Sequence, residues 1–204
     1  MCFYTQQTKK AVEVENRFNA KIKNKTLFNT SNVINGFSFP RTPIITNGDT
    51  SIIQHFQWGL IPFWAKDETI KKYTLNAKIE TLHEKPSFRG AVKNRCLIIA
   101  DGFYEWQWLD TKGRNKQRYL IKLNNDELFA FAGIWSEWIN KETGEIINSY
   151  SIITTQANEL MSKIHNTKKR MPVILSKNNE KDWLQGHDIT NFKKVNINIK
   201  AIVC

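Results

Sequence analysis

Segments with strand character outnumber segments with helical character in this chain, and the two do not alternate. Apolar residues recur with a period of two at Tyr119, Ile121 and Leu123, and again at Val195, Ile197, Ile199, Ala201 and Val203. Residues 96–100, 128–135, 147–155 and 172–175 are compact apolar runs of strand length. Helical spacing occurs in few places: Ala11, Val14 and Phe18 predict a helix over 7–22, Leu160, Met161 and Ile164 a short one over 157–164, and a third is expected over 179–185. A doubly wound parallel sheet needs a crossover helix between successive strands, and that rhythm is missing. With no repeat, heptad run or low-complexity tract to divide it, the chain is expected to be one α+β domain over residues 1–204. Its core should be largely antiparallel and barrel-like, flanked by short helices.

Composition narrows the function classes. At 204 residues and 41% hydrophobic the chain can bury a real core. No apolar run approaches the ~20 residues that span a bilayer, and no charged start leads into an apolar stretch with a small-residue cleavage site. A soluble, cytoplasmic protein with no membrane partner is expected. Cys2, Cys96 and Cys204 are odd in number and far apart, which fits a reducing compartment, and Cys96 opens an apolar run as a buried strand residue would. CxxC and HxxxH spacings do not occur, so neither a metal site nor a cofactor is expected. The net charge of +11 points to a polyanion such as nucleic acid, although many of the lysines belong to a surface that is simply solvated.

Cys2 is preceded only by Met1. Removal of that methionine would leave a free α-amine and a thiol on one residue, each with a pKa of about 8 and therefore partly reactive at neutral pH. Such a 1,2-aminothiol condenses with an aldehyde to an imine and then closes through sulfur to a thiazolidine. Beyond Cys2-Phe3-Tyr4, three stretches mix polar and aromatic residues in ways packing does not require. They are Trp58 to Trp64 (WGLIPFW), Asn76 to Arg89 continuing into Asp101 to Trp106 (DGFYEW), and His165 to Pro172 (HNTKKRMP).

Taken in order, Cys2, WGLIPFWA, NAKIETLHEKPSFR, CLIIADGFYEW, FAGIW and HNTKKRMPVIL resemble the SRAP family, named for SOS response-associated peptidases and also called abasic-site processing proteins. The resemblance spans essentially the whole chain and implies a single SRAP-like domain, active as a monomer. It would grip single-stranded DNA, cytoplasmic or nucleoid-associated, and bond through the N-terminal cysteine to the ring-opened aldehyde of an abasic sugar. It also implies β-elimination at the 3′ phosphate and later self-release. By motif position the active-site residues fall on Cys2, Asn76, Glu105 and His165.

Each assignment has a physical rationale. Cys2 supplies amine and thiol. Glu105, between Tyr104 and Trp106, gains a raised pKa by desolvation and can shuttle protons. His165, ending a helix whose carbonyls favour imidazolium, would protonate the sugar ring oxygen. Asn76 both donates and accepts, and so can orient the Cys2 amine or a sugar hydroxyl. Lys78, where the family usually has Arg, joins Arg89, Lys168, Lys169 and Arg170 as expected phosphate contacts. Pro62, Phe63 and Trp64 are candidates for a wedge or stacking platform, whereas Trp58 is expected in the core.

Two departures stand out. Phe3-Tyr4 replaces the family's usual Gly-Arg, and three extra residues separate His165 from Arg170. Two other function classes remain open at this level: a thiol peptidase using Cys2, His165 and a carboxylate, and a noncatalytic single-strand binder.

Overall fold

The structure is a computed structural model, and it describes residues 2–194 and 196–204. Fourteen strands follow in chain order: β1 (Tyr4–Gln7), β2 (Lys21–Ile22), β3 (Ser31–Asn35), β4 (Arg41–Thr46), β5 (Asp49–Trp58), β6 (Asn76–Lys78), β7 (Arg95–Ala100), β8 (Gly102–Trp108), β9 (Lys116–Leu123), β10 (Phe129–Ile139), β11 (Ile146–Gln156), β12 (Arg170–Pro172), β13 (Ile174–Leu175) and β14 (Ile199–Val203). Four short helices accompany them: α1 (Ala11–Phe18), α2 (Pro86–Arg89), α3 (Glu159–Ile164) and α4 (Lys177–Leu184).

The strands form two sheets. One has five strands in the order β14-β9-β8-β1-β3, every pairing antiparallel. In the larger sheet β11, β10, β7, β4 and β5 pair antiparallel in succession, and β5 then meets β11 in parallel at Ser149↔Gln57 and Tyr150↔Trp58. That seam closes a five-stranded barrel. β6 adds to β11 in parallel, with Asn76 opposite Ile152, so the barrel wall fixes where Asn76 stands.

Both faces of the barrel strands are buried. Ala130, Ala132, Leu97, Ile99, Ile45 and Ile153 face a cluster that contains Val14 of α1 and Trp183 of α4. The alternate residues Phe129, Phe131, Cys96, Ile98, Ile44 and Ile152 face a second cluster with Cys2, Phe103 and Ile121 of the other sheet and Met161 and Ile164 of α3. Double-sided burial is why these strands read as continuous apolar runs and not as alternation. Close packing fixes Gly133: a Cβ there would come within 2.3 Å of Ile98 Cδ1 and 2.8 Å of Cys96 Sγ. Gly59, with φ +112°, lets the chain turn out of the barrel directly after Trp58.

Where elements differ from the sequence reading, local chemistry explains it. The helix expected over 7–22 is confined to Ala11–Phe18: Glu13 accepts from the Lys10 backbone N–H at its start, and Asn19 turns left-handed (φ 49°) at its end. Gln7 and Lys21–Ile22 are strand instead. The run 172–175 is split between β12 and β13, which pair with β11 and β10. In the C-terminal period-two stretch only Ile199–Val203 pairs with β9, and Val195 lies outside the described residues. Among the described residues no helix is long and apolar enough to cross a membrane.

Candidate active site

Residues far apart in sequence meet where β1 crosses beside β8. Tyr4 pairs with Tyr104 on one side and Asn35 on the other, which brings the residues preceding β1 against the acidic middle of β8. Cys2 is fully buried, its Sγ 3.9 Å from the Tyr4 carbonyl. Burial pushes the thiol pKa well above its ordinary value, and the charge of nearby Glu105 adds to the rise.

Asn76 donates from Nδ2 to the Cys2 carbonyl at 2.9 Å. Its Oδ1 is buried with no partner among the described residues, leaving an acceptor for a group that enters the site. The strand leading to Asn76 is pinned by Trp58, whose Nε1 donates to the Leu75 carbonyl at 2.9 Å. Trp58 is thus core, as expected from sequence, yet it pins the residue preceding Asn76, a candidate site residue.

Glu105 and His165 open onto one cleft of about 350 Å³, with Tyr4, Trp106, Trp108 and Lys116 among its walls. Glu105 is 4% exposed, and desolvation pushes its carboxyl up to about 7. A group with that value is close to half protonated at neutral pH, suited to both giving and taking a proton.

His165 requires a correction. Desolvation lowers it to about 4, with the charges of Lys168 and Arg170 also acting against protonation. Burial therefore outweighs the end of a six-residue helix, and the imidazole is neutral at pH 7. Its Nδ1 lies 3.0 Å from the Arg170 N–H and 2.9 Å from the Arg170 carbonyl. The neutral ring accepts from the first in the tautomer with its proton on Nε2, or donates to the second in the tautomer with its proton on Nδ1.

Arg170 also departs from expectation. It is 9% exposed, held by Glu80 in a bidentate pair at 2.7 and 2.8 Å, and it donates to the Thr154 carbonyl at 2.7 Å. Its guanidinium is committed to the interior, and its backbone orients His165. The three extra residues that precede it are accommodated by a turn: Lys169 adopts φ 47° and donates to the His165 carbonyl. Asn166 clamps the turn to β8, donating to the Trp108 carbonyl at 2.8 Å and accepting from the Trp108 N–H at 3.1 Å.

The other candidates are distributed over the surface. Lys78, Arg89, Lys168 and Lys169 are exposed, as phosphate contacts must be. Phe63 and Trp64 are 69% and 49% exposed, forming a knob against α2 with Trp64 Nε1 3.3 Å from the Pro86 carbonyl, whereas Pro62 is buried beneath it and cannot face a base. Sequence reasoning assigned no task to Glu80, Thr154 or Asn166. Glu80 lay within a quoted motif, but only the fold shows it reaching across to Arg170.

Comparison with known proteins gives a consistent result. The sequence profile of the family described as "SOS response associated peptidase (SRAP)" matches residues 1–200. The abasic site processing protein YoqW of Bacillus subtilis (strain 168) is 51% identical over 142 residues, which cover 69% of this chain and 61% of YoqW. The abasic site processing protein HMCES of Gallus gallus is 35% identical over 147 residues, covering 61% of this chain and 42% of that protein. The matched region thus spans about three fifths or less of these relatives. A crystal structure of a protein from Bacteroides thetaiotaomicron superimposes with a TM-score of 0.91 at 37% identity, covering 99% of this chain and 91% of the other.

Proposed function

Because the chain belongs to the SRAP family, we propose that it captures abasic sites in single-stranded DNA through a thiazolidine bond between Cys2 and the sugar aldehyde. The observation that carries this reading is that four distant segments converge: Asn76 donates to the Cys2 carbonyl, the charge of Glu105 acts on the buried Cys2 thiol, and Glu105 lines one cleft with His165 and Lys116. Two of the relatives named above are called abasic site processing proteins, which supports the substrate class.

The chemistry follows from the side chains. With Met1 removed, the Cys2 amine adds to C1′ of the open sugar, and the resulting carbinolamine loses water to give an imine. Glu105, near its pKa, donates the proton that lets the hydroxyl leave. The thiol then adds to the imine carbon, forming the C–S bond, while its proton passes to the ring nitrogen by way of the Glu105 carboxylate. Because burial keeps sulfur protonated, the thiol must give up its proton to the Glu105 carboxylate as the C–S bond forms. In the tautomer that accepts the Arg170 N–H, neutral His165 carries its proton on Nε2 and hydrogen-bonds the sugar ring oxygen, favouring the open aldehyde. The unpartnered Asn76 Oδ1 accepts from the amine or a sugar hydroxyl. Reversal releases the protein: Glu105 delivers a proton to sulfur as the C–S bond breaks and the nitrogen loses its proton to give the imine, water adds to C1′, and the carbinolamine collapses to amine and aldehyde; proton removal at C2′ of the imine would instead expel the 3′ phosphate as a lyase does.

The same electrostatics oppose a peptidase. A Cys-His pair needs a thiolate and a basic imidazole, whereas here the thiol is pushed up and His165 is lowered to about 4. A purely noncatalytic binder would leave no lesion-dependent bond. The deciding experiment incubates untagged protein with an oligonucleotide bearing one abasic site. A band resistant to denaturation is expected, with an intact mass equal to protein lacking Met1 plus DNA minus one water. Equal band formation by Cys2→Ala, or none by the wild type, overturns the proposal.

A further inference from the structure

The cleft has an aromatic wall for which the capture chemistry has no use. Phe37, 50% exposed, stands on the 3-10 turn Gly36–Ser38 with its ring centroid 4.8 Å from Phe3 and 6.2 Å from Tyr4. Tyr4 in turn meets Trp106 edge-on at 5.1 Å. The three rings of Phe37, Tyr4 and Trp106 form a continuous row whose inner end lies in the same cleft as Glu105 and His165.

The row is held rigidly. Asn35 pairs with Tyr4 across the strands, and its side chain accepts from the Phe37 N–H at 3.0 Å. Gly36 N–H donates to the Phe3 carbonyl at 2.8 Å. A Cβ on Gly36 would lie 3.1 Å from both that carbonyl and the Trp58 ring, so the turn is pressed onto the barrel floor that also supports Asn76. Trp108 differs from these rings: Lys116 Nζ sits 5.1 Å over it and Gly113 packs against it, so it serves as a wall. Cations border the row. Lys116 closes its inner end, and Lys168 and Lys169 are exposed on the turn that follows His165.

We infer that Phe37, Tyr4 and Trp106 form a stacking surface for the unpaired nucleobase next to the abasic sugar, with Lys116, Lys168 and Lys169 meeting the phosphates. An abasic sugar in the cleft has covalently attached neighbours, and the chain leaving the Glu105 end must pass Tyr4 and Trp106. Rings in fixed positions beside cations complement a strand that carries flat bases and negative phosphates. Here the Phe3-Tyr4 departure is functional: an aromatic ring occupies a position for which the family resemblance led one to expect a cation, exchanging phosphate attraction for stacking. This inference rests on the cleft being the abasic-site pocket, and the test separates the two.

The full chain is titrated by fluorescence anisotropy with single-stranded oligonucleotides bearing a tetrahydrofuran abasic analogue, which has no aldehyde and reports noncovalent binding only. One oligonucleotide keeps the bases on both sides of the analogue, and the other replaces both flanking nucleotides with the same analogue. Wild type is expected to bind the first at least about 5-fold more tightly, the lower end for one stacked base. Phe37→Ala should reduce that preference. Wild type that binds both alike overturns the inference with no variant needed, as does a folded Phe37→Ala that keeps the full preference. A gel with true abasic sites is run alongside. Cys2-dependent crosslinking without the flanking-base preference defeats the stacking surface alone, and the preference without crosslinking defeats the capture chemistry alone.

Discussion

Replacing Glu105 by Gln should make the protein more stable at alkaline pH, because the acid is kept in the cleft against its own solvation. Its carboxyl is raised from the ordinary 4.5 to about 7 by desolvation at 4% exposure. A raised value means that the fold favours the neutral form. The stability this confers is complete below the unfolded value and is lost as pH climbs from 4.5 through 7, where the folded-state carboxyl also ionises. Integration of the linkage for values of 4.5 and about 7 gives a loss of almost nothing at pH 4, about 2 kcal/mol at pH 6 and about 3 kcal/mol at pH 8. Gln keeps the shape and does not ionise, so the wild-type minus Glu105→Gln difference should grow along that curve. For a domain of this size it amounts to a rise in melting temperature of about 6–12 °C at pH 8. The assay is urea or thermal unfolding of both proteins between pH 4 and pH 8, and comparing them cancels every other titrating group. A difference that is independent of pH, or a variant no more stable than wild type at pH 8, would refute the assignment of Glu105 as a desolvated acid. The gain in stability should come with loss of crosslinking, as expected of a residue retained for chemistry.

Other outcomes follow from the same structure. His165 is depressed to about 4, so its contribution is present above the unfolded value of 6.5 and fades as pH falls; His165→Gln should lose less stability than wild type between pH 6.5 and pH 4 in the same unfolding series. Glu80→Ala leaves the Arg170 guanidinium without its carboxylate, and because that carboxylate side chain is 35% exposed the cost should be about 1–2 kcal/mol and not the 3–5 of a fully buried pair. The variant should also crosslink more slowly at every pH through misplaced His165, with Glu80→Asp restoring part of the rate in a single-turnover gel assay. Gly133→Val must displace Ile98 and Cys96 and should cost about 3 kcal/mol in denaturant unfolding. Lys168→Ala with Lys169→Ala should reduce the salt dependence of single-strand binding by about 1.4 in log-log slope if each meets one phosphate.

The sequence was most legible where the physics is local. The apolar runs over 96–100, 128–135 and 147–155 became β7, β10 and β11 because two-sided burial admits only apolar side chains, and α3 and α4 appeared at their helical spacings. The strands β1, β3, β4 and β5 were not singled out. β5, with His55 and Gln57 among its apolar residues, has no run to find, and its place is set by partners distant in sequence. The site shows the same division. Motif order put forward Cys2, Asn76, Glu105 and His165 as the candidate site, and Glu105's elevated value was anticipated from its aromatic neighbours. Arg170 misled because a basic residue after His165 looks like a phosphate contact until Glu80, ninety positions earlier in the chain, is seen opposite it. His165's protonation misled for a related reason: the helix end is visible in sequence, but the depth of burial is not.

The barrel seam between β5 and β11 has a temporal implication. Residue 2 leaves the ribosome roughly 160 residues ahead of His165, and at about 5–20 residues per second the wait is on the order of 10–30 s. Through that interval the strand that seals the cylinder is still being made, so Asn76 lacks the β11 neighbour that holds it in the finished fold. If Cys2 carries the free amine that the proposed function requires, it would at that stage meet aldehydes as any small aminothiol does, without a cleft to select among them. Under the proposed capture chemistry, selectivity for a DNA sugar would begin only when synthesis passes β11 and the cylinder shuts, so completion of that strand would be the step that arms the protein.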